Sequence, residues 1–390
     1  MSDAGNAYDS THIKVLEGVD AIRKRPGMWV GTTRQGGLHQ LVFEAVGRAV
    51  SEVLKGGGGS VSVTLTPGGG VRIADDAPGM PVRAAGDSSE TCLENVLTRP
   101  GVQGPGGRED MVVGRICQTA QLVVVNALSS RLTAEVRRDG LRWVQEYERG
   151  TAVTPPIAVG AAKGSGTTLH FRPDADIFET VDCSFGLLTK RLRELAYLNR
   201  GLNISVRDER APDAPRQERF HFPDGLGEFI GREGRHGAPL HADVIAFERE
   251  DTRMAGSMQV AFRWHDSPEE RITSFVNCRS TDEGGTHVEG FRTGVTAAVN
   301  TYARRCRLLA PTEPDLGPDR TGEGLRAIVS VKLDRPQFHG ATARRLDDAA
   351  VRTGVEEAVR DDLIRWLESR PDQAAAIVGK VIRDGHPPVE

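Results

Sequence analysis

Residues 41–54 read LVFEAVGRAVSEVL, and residues 61–73 read VSVTLTPGGGVRI. In the first stretch apolar residues recur every three or four positions, which predicts a helix with one buried face. In the second, apolar residues alternate with polar ones on both sides of a Pro-Gly-rich turn, which predicts a β-hairpin. The polar face of the helix carries Glu44 and Arg48. A helix followed by antiparallel strands indicates the mixed layers of an α+β fold.

The remainder of the chain continues this mixture. Apolar periodicity predicts a helix over 185–200 that stops at Gly201, a residue type typical of helix C-termini. The stretch 208–219 contains two prolines and many charges, which indicates a linker or a long hairpin loop, and we place the domain boundary at its end. Beyond the boundary, periodicity predicts helices and strands at 288–305, 343–369, 238–247, 258–264 and 327–333.

Composition excludes several classes of protein. The 390 residues suffice for about two domains, and no apolar run approaches the length of a membrane span. The first ten residues are polar and lack the order of a signal peptide, so we expect a cytoplasmic protein. Five widely spaced cysteines without a CxxC pair argue against a disulfide framework and a zinc site. The net charge of −4 gives no global attraction to nucleic acid, although a local basic face would be compatible with it.

Three longer motifs lie outside the helix and hairpin. They read YDSTHIKVLEG at 8–18, AIRKRPGMWVGT at 21–32 and EGGTHVEGFR at 283–292. With shorter matches elsewhere, they closely resemble the gyrase B and topoisomerase IV B proteins over essentially the whole chain. The resemblance implies a GHKL (Bergerat) ATPase-like α/β sandwich in residues 1–219, with an N-terminal arm at 1–16. A transducer-like domain of ribosomal-S5-like topology would follow in residues 220–390, without a TOPRIM domain.

The resemblance assigns roles to the polar face of the first helix. Glu44 stands at the position of the family's general base, and Gln40 replaces a histidine that orients this base. Arg48 replaces the asparagine that holds Mg²⁺, and a guanidinium cannot coordinate a metal, so we expect no metal site. Arg48 could instead bind phosphate directly or pair with Glu44. Pro78 replaces an arginine that would form a salt bridge with Glu52.

The positions that bind adenine in the family are better preserved. Asp75, in the motif DDAPGMP at 75–81, can accept a hydrogen bond from an exocyclic amine, and Gly79 allows close approach of the backbone. Thr167 matches the threonine that supports this aspartate. Arg138 matches an arginine beside the pocket mouth, although a solvated strand arginine is an equal alternative.

Two elements that contact the triphosphate in the family have changed. The lid segment 115–123 reads RICQTAQLV and has lost every glycine, so its backbone cannot wrap phosphates as closely. Ala343 stands where the family's transducer lysine stabilises the transferred phosphoryl group. Arg344 and Arg345 follow it, but we expect them to begin the last long helix and to face solvent.

These changes favour a protein that does not hydrolyse ATP efficiently and that binds no cofactor, or ATP and Mg²⁺ only weakly. Tyr8 and Ile13 lie in the arm that crosses between the two protomers in the family, which favours a homodimer. Such a protein could regulate or bind a topoisomerase subunit, DNA or a protein of another pathway. Alternatives are a switch that binds ATP or a small molecule in the residual adenine pocket, and the ATPase subunit of a split topoisomerase.

Overall fold

The computed structural model divides the chain into two compact units. It describes residues 16–56, 59–82, 92–100, 121–232, 237–340 and 343–383. Of these, the first unit takes the residues up to Thr189 and the segment Ser205–Arg219, and the second takes Lys190–Ile204 and the residues from Phe220 onward. None of the described helices is both long enough and apolar enough to cross a membrane.

Helices of the first unit lie along one large sheet. The helices up to residue 127 are α1 (Gly18–Lys24), α2 (Gly27–Val30), α3 (Gln35–Lys55), α4 (Cys92–Thr98) and α5 (Leu122–Ala127). The strands up to residue 173 are β1 (Gly59–Thr66), β2 (Gly70–Asp75), β3 (Ser129–Arg138), β4 (Leu141–Glu148), β5 (Thr151–Ala152), β6 (Ile157–Ala161) and β7 (Gly166–Pro173). Helix α6 (Phe185–Leu198) and strands β8 (Leu202–Asp208) and β9 (Arg216–Phe220) follow, and each of the three includes residues of both units. The described strands pair in the order β5-β4-β3-β7-β2-β1-β8-β9, with β6 on β4.

The opening helix and hairpin form as predicted. Strands β1 and β2 are antiparallel, with Val61 opposite Asp75 and Thr66 opposite Gly70. The apolar face of α3 is buried, and the helix contacts both strands. Each fully buried aliphatic side chain contributes about 1.5–3 kcal/mol. This packing fixes α3 on the sheet with its polar residues beside β2 and β7.

The second unit contains a smaller sheet. Its strands are β10 (Ile245–Asp251), β11 (Gly256–Trp264), β12 (Arg271–Val276), β13 (Arg279–Ser280) and β14 (Leu325–Leu333), in the order β10-β11-β14-β12-β13. The helices are α7 (Leu226–Arg232), α8 (Thr286–Arg305), α9 (Pro318–Thr321), α10 (Ala349–Ser369) and α11 (Pro371–Arg383). Phe262, Trp264 and Phe291 belong to the core that α8 and α10 share with one face of this sheet.

Two predicted boundaries in this unit are wrong. The last long helix was predicted from residue 343 but starts at Ala349, because the Asp348 side chain caps it by accepting hydrogen bonds from the Ala350 and Val351 N–H groups. Arg344 and Arg345 therefore do not begin this helix; they precede it and form ion pairs, Arg345 with Glu289 at 2.7 Å. The strand predicted at 238–247 lies at Ile245–Asp251, where seven residues pair with β11.

The charged stretch after β8 is a hairpin rather than an open linker. Strand β9 begins at Arg216 and neighbours β8 in the sheet. The Asp208 carboxylate accepts hydrogen bonds from the side chains of Arg210 and Arg216, which hold its pKa far below the usual range despite the opposing effect of burial. The many charges that suggested a linker are thus partly satisfied within the turn.

Candidate functional site

The polar face of α3 begins with Glu44, which is only 8% exposed. Its Oε1 accepts a 2.7 Å hydrogen bond from Nε2 of Gln40, one turn earlier. The adjacent His39 is also buried, and its Nε2 accepts from the Ser184 N–H at 2.8 Å. Burial holds the pKa of His39 below its ordinary value, which keeps the ring a neutral acceptor. Gln40 thus orients the carboxylate of Glu44 without adding a charge.

One turn further along α3, Arg48 pairs with Glu52. Nη2 of Arg48 lies 3.0 Å from Oε1 of Glu52, and the two side chains are only 16% and 20% exposed. Nζ of Lys55 lies 3.6 Å from the same oxygen. The observed partner of Arg48 is therefore Glu52 rather than Glu44, which the sequence had left open as an alternative. Glu52 receives from its own helix the positive charge that Pro78 cannot supply.

A pocket opens beside this ion pair and is partly continuous with solvent; its enclosed space is about 10 Å³, room for about one water molecule. Its polar lining comes from Arg48, Glu52, Asp75 and Thr167. Its apolar lining comes from α3, from β2 and β7, and from the turn after β2, through Ala45, Ala49, Ile73, Leu169 and Met80. A mostly apolar lining with a few convergent polar groups is typical of sites for small organic ligands, whose volumes are usually about 300–1,000 Å³. A ligand of that kind would therefore have to widen this pocket or extend into the solvent at its mouth.

Asp75 supplies the acceptor of this pocket. Its Oδ1 accepts hydrogen bonds from the N–H groups of Ala77 and Thr167, each at 3.1 Å. Burial raises the pKa of Asp75 to about 6; the two hydrogen bonds oppose this rise, and the negative charges of Glu52 and Asp76 add to it. Near neutral pH the carboxylate is ionised and fixed in place, and in mild acid it becomes protonated.

The turn after β2 is clamped against the sheet. Oγ1 of Thr167 accepts from the Met80 N–H at 3.0 Å, and Nη1 of Arg138 donates to the Gly79 carbonyl at 2.7 Å. Gly79 has φ of 83°, and a Cβ there would lie 2.6 Å from the carbonyl oxygen of Arg137. Glycine is therefore required both by the conformation and by the close approach. Arg138 holds the turn at this point rather than projecting freely into solvent.

The residues present here do not fit a magnesium ion. Mg²⁺ needs oxygen ligands in octahedral geometry, whereas the guanidinium of Arg48 offers only donors and brings a positive charge. Arg48 would have to leave this position to admit a metal ion, and its ion pair with Glu52 holds it there.

The structure describes some of the remaining sequence-predicted positions and not others. Tyr8, Ile13 and most of the lid segment, residues 115–120, lie outside the described residues. The end of the lid does not: Leu122 and Val123 are buried in α5. Ala343 is described, with a left-handed φ of 52°, and carries no ammonium group. Asp75, Thr167 and Arg48 are the predicted residues that share the pocket.

The apolar walls were not singled out from the sequence, although a signal was available. Pocket residues on α3 occupy positions 45, 48, 49 and 52. This is the i, i+3, i+4, i+7 spacing of one helical stripe, so placing Arg48 in the pocket would have placed the two alanines with it.

No comparable sign in the sequence places Cys92 near Arg48 and Arg138. Burial raises its thiol pKa, while Arg48 and Arg138 lower it, which shows that both cations are near.

Comparisons with known proteins agree with this architecture. The sequence profile of DNA gyrase B matches residues 225–386. The DNA gyrase B protein of Streptomyces coelicolor is 40% identical over 98% of this chain and 58% of its own length. The corresponding protein of Archaeoglobus fulgidus is 38% identical over 96% of this chain and 58% of its own length. The chain therefore spans less than two thirds of these relatives.

Solved structures show the same fold. The 43K ATPase domain of Thermus thermophilus gyrase B, in complex with an aminocoumarin, has a TM-score of 0.81 at 28% identity and covers 94% of each chain. The ATP-binding domain of topoisomerase IV from Francisella tularensis has a TM-score of 0.76 at 27% identity, covering 94% of this chain and 96% of that one. The predicted GHKL-type α+β fold is confirmed. With identity of up to 40% along almost the entire chain and a shared ATPase-domain fold, this chain belongs to the DNA gyrase B family.

Proposed function

We propose that this chain is a gyrase B-like protein that does not hydrolyse ATP efficiently and acts as a dimeric regulatory or binding protein. The observation that carries the proposal is Arg48, a half-buried cation that lines the pocket and is paired with Glu52. In the family resemblance this position holds the magnesium ligand. A guanidinium there removes the metal anchor and repels Mg²⁺, so the metal cannot neutralise the triphosphate.

The changes at the other end of the nucleotide support the same proposal. The lid sequence at 115–123 lacks glycine, and Ala343 lacks the ammonium that would stabilise charge on the transferred phosphoryl group. Loss of one such electrostatic contact lowers turnover by about 10²-fold or more. The metal ligand, the lid and the lysine act on different parts of the reaction. Restoring one of them should therefore not restore ATP hydrolysis, because the other two would still be missing.

Calorimetric titration with a non-hydrolysable ATP analogue, with and without Mg²⁺, tests the proposal. We expect no binding that depends on magnesium, and no turnover above background in a steady-state ATPase assay. The variant Arg48→Asn removes the cation and restores an amide oxygen, while Arg131→Asn alters an exposed arginine of the same unit as a control. Micromolar, magnesium-dependent binding or measurable turnover by the unmodified chain would refute the proposal.

Dimerisation is a separate part of the proposal. It is supported by the match of the arm sequence around Tyr8 and Ile13 to the family, since an arm adds little to the core of its own protomer. Analytical ultracentrifugation should give a dimer that dissociates when residues 1–16 are removed. A monomer at all concentrations would show that the arm has another role.

The hydrogen bonds that orient Asp75 favour a second candidate function, a switch that binds a small molecule without metal. Asp75, Thr167 and the turn at Gly79 keep an oriented acceptor above an apolar floor. We expect an adenosine-like or aminocoumarin-like ligand to bind equally well with and without Mg²⁺. Asp75→Asn should weaken such binding because the amide is a weaker acceptor than the carboxylate. Absence of binding by both ligand types would exclude this function.

A further inference from the structure

The large sheet of the first unit has a polar face on the side away from α3. Strands β2 and β7 contact α3 and bury apolar side chains, namely Val71, Ile73, Leu169 and Phe171. Successive residues of a strand point to opposite faces, so Arg72 and His170, which alternate with these residues, point away from the helix. The register agrees, because Arg72 lies directly opposite His170. We call this side of β1, β2, β3, β4 and β7 the outer face.

Positive charge exceeds negative charge on the outer face. The five strands direct five arginines and three glutamates to it: Arg72, Arg131, Arg137, Arg142, Arg172, Glu135, Glu146 and Glu148. Two arginines are paired, Arg131 with Glu148 at 3.0 Å and Arg142 with Glu135 at 3.6 Å. The other three form no ion pair with any residue that the structure describes. The outer face therefore keeps uncompensated guanidinium groups.

Arg72 and Arg172 are exposed and flank the half-buried His170. Burial lowers the pKa of His170, and the positive charges of both arginines lower it further, which keeps the ring neutral at neutral pH. Nε2 of this ring lies 3.3 Å from Oγ1 of Thr66. The two guanidinium groups thus act on the same ring. An anion placed against them would relieve their mutual repulsion.

Hydroxyl groups surround these two arginines. Thr64 of β1 lies opposite Arg72, and Thr133 of β3 lies opposite His170. Guanidinium and hydroxyl groups are both usual donors to the phosphate oxygens of nucleic acids. The centre of the outer face therefore combines the two kinds of donor that suit a chain of phosphates.

The composition of the outer face favours a nucleic-acid duplex over a protein partner. Protein interfaces are built around buried apolar and aromatic anchors. None of the residues that these five strands direct to the outer face is Phe, Tyr or Trp. Single-stranded nucleic acid also needs such rings, because its bases stack on them. A duplex instead presents phosphates, and its protein interfaces are polar and positively charged.

We propose that the outer face binds the phosphate backbone of a nucleic-acid duplex, with Arg72 and Arg172 as the principal contacts. Each guanidinium presents a planar fork of donors that matches the oxygens of a phosphate. The binding is independent of sequence, since phosphate contacts do not read bases. This inference rests on the binding role proposed above and names its partner, but it does not involve the nucleotide pocket.

The fluorescence anisotropy of a labelled, mixed-sequence DNA duplex, titrated without nucleotide at several salt concentrations, tests the proposal. The logarithm of the binding constant falls with the logarithm of salt concentration, with a slope of about 0.9 for each phosphate contact. Arg72→Gln and Arg172→Gln should each weaken binding and reduce this slope by about one, and the double variant by about two. Arg34→Gln, at a 79% exposed arginine immediately before α3, is the matched control and should leave the slope unchanged.

A gain of binding provides a second test. Glu146 is exposed and lies opposite Thr133 on the same face. Glu146→Gln removes a negative charge there and should strengthen binding of the duplex, a result that misfolding would not produce. Because all these side chains are exposed or half-buried at the surface, the variants should melt at the same temperature as the unmodified chain.

Three results would overturn the proposal. The duplex does not bind at low salt, the outer-face variants behave like Arg34→Gln, or a single strand or a polyglutamate peptide binds more tightly than the duplex. Since no nucleotide is present, each of these results leaves the proposed loss of ATP hydrolysis standing. Conversely, measurable ATP turnover would refute that loss without changing the expected binding of the duplex.

Discussion

Removing the positive charge of Arg48 should destabilise the first unit through Glu52. In Arg48→Met the carboxylate of Glu52, only 20% exposed, keeps Lys55 at 3.6 Å as its remaining partner. Breaking a fully buried pair costs about 3–5 kcal/mol, whereas an exposed pair is worth about 0–1 kcal/mol. With partial burial and one partner left, we expect a loss of about 2 kcal/mol. For a unit of this size that corresponds to a melting temperature lower by roughly 4–8 °C.

A double-mutant cycle separates the pair from the loss of packing. Glu52→Gln removes the charge with little change in shape, so the double variant should recover about 1 kcal/mol of the loss seen in Arg48→Met. The free energy of unfolding would be measured by urea titration, followed by circular dichroism. Raising the salt concentration should change this coupling little, because salt screens buried pairs much less than exposed ones.

The same unit offers an exposed pair as the control. Arg131 and Glu148 are also 3.0 Å apart, but their side chains are 78% and 51% exposed. Arg131→Met should therefore cost less than about 0.5 kcal/mol. A coupling energy for Arg48 and Glu52 no larger than that of the exposed pair would refute the reasoning that the pocket makes this contact strong.

Three further predictions concern titration and packing. Asp75 has a folded pKa of about 6, above its value in the unfolded chain, so the native state binds the extra proton. The free energy of unfolding should therefore rise as the pH falls from 7 toward 4. Asp75→Asn should flatten this rise in a urea titration. His241 shows the reverse case, because burial lowers its folded pKa to about 4 and the unfolded chain binds the proton more readily. The stability of the second unit should therefore fall as the pH drops from 6.5 toward 4. His241→Gln should reduce that fall. Gly290→Ala should lower the stability measured by thermal unfolding by about 1–3 kcal/mol, since its Cβ would lie 2.3 Å from the Arg352 carbonyl oxygen of the packed helix α10. The control Gly186→Ala, in an open part of α6, should be neutral or stabilising.

Local patterns predicted the elements whose signal is intrinsic to a short stretch. The helix α3 and the β1–β2 hairpin follow from spacing alone, because one face of each is buried and the other is not. The start of α10 could not be placed in this way. Residues 343–348 are compatible with a helix by composition, but Asp348 caps the helix that follows them. The residues before Asp348 form backbone hydrogen bonds with a distant segment, from the Glu283 N–H to the Arg344 carbonyl and from the Leu346 N–H to the Gly284 carbonyl.

The site shows the same division between local and distant information. Position 75 as an acceptor could be named from the resemblance, but its pKa could not, since it depends on burial by β7 and on the charge of Glu52. The partner of Arg48 was ambiguous because Glu44 and Glu52 are both four residues away and thus equally close on a helix. Burial in the pocket beside Asp75 and Thr167 distinguishes them, and that depends on tertiary packing.

The ion pair also connects two substitutions that look independent in the sequence. The resemblance places an arginine at position 78 and an asparagine at 48, whereas this chain has Pro78 and Arg48. Pro78 now lies near the end of α3, where its Cδ would contact a side chain at Gly56 at 3.4 Å, and Arg48 takes over the pairing with Glu52. In this chain the cation that pairs with Glu52 therefore lies on the helix rather than on the turn, where the resemblance places one. Because restoring asparagine at 48 would leave Glu52 with Lys55 alone, recovery of a metal ligand conflicts with the stability of the present pocket.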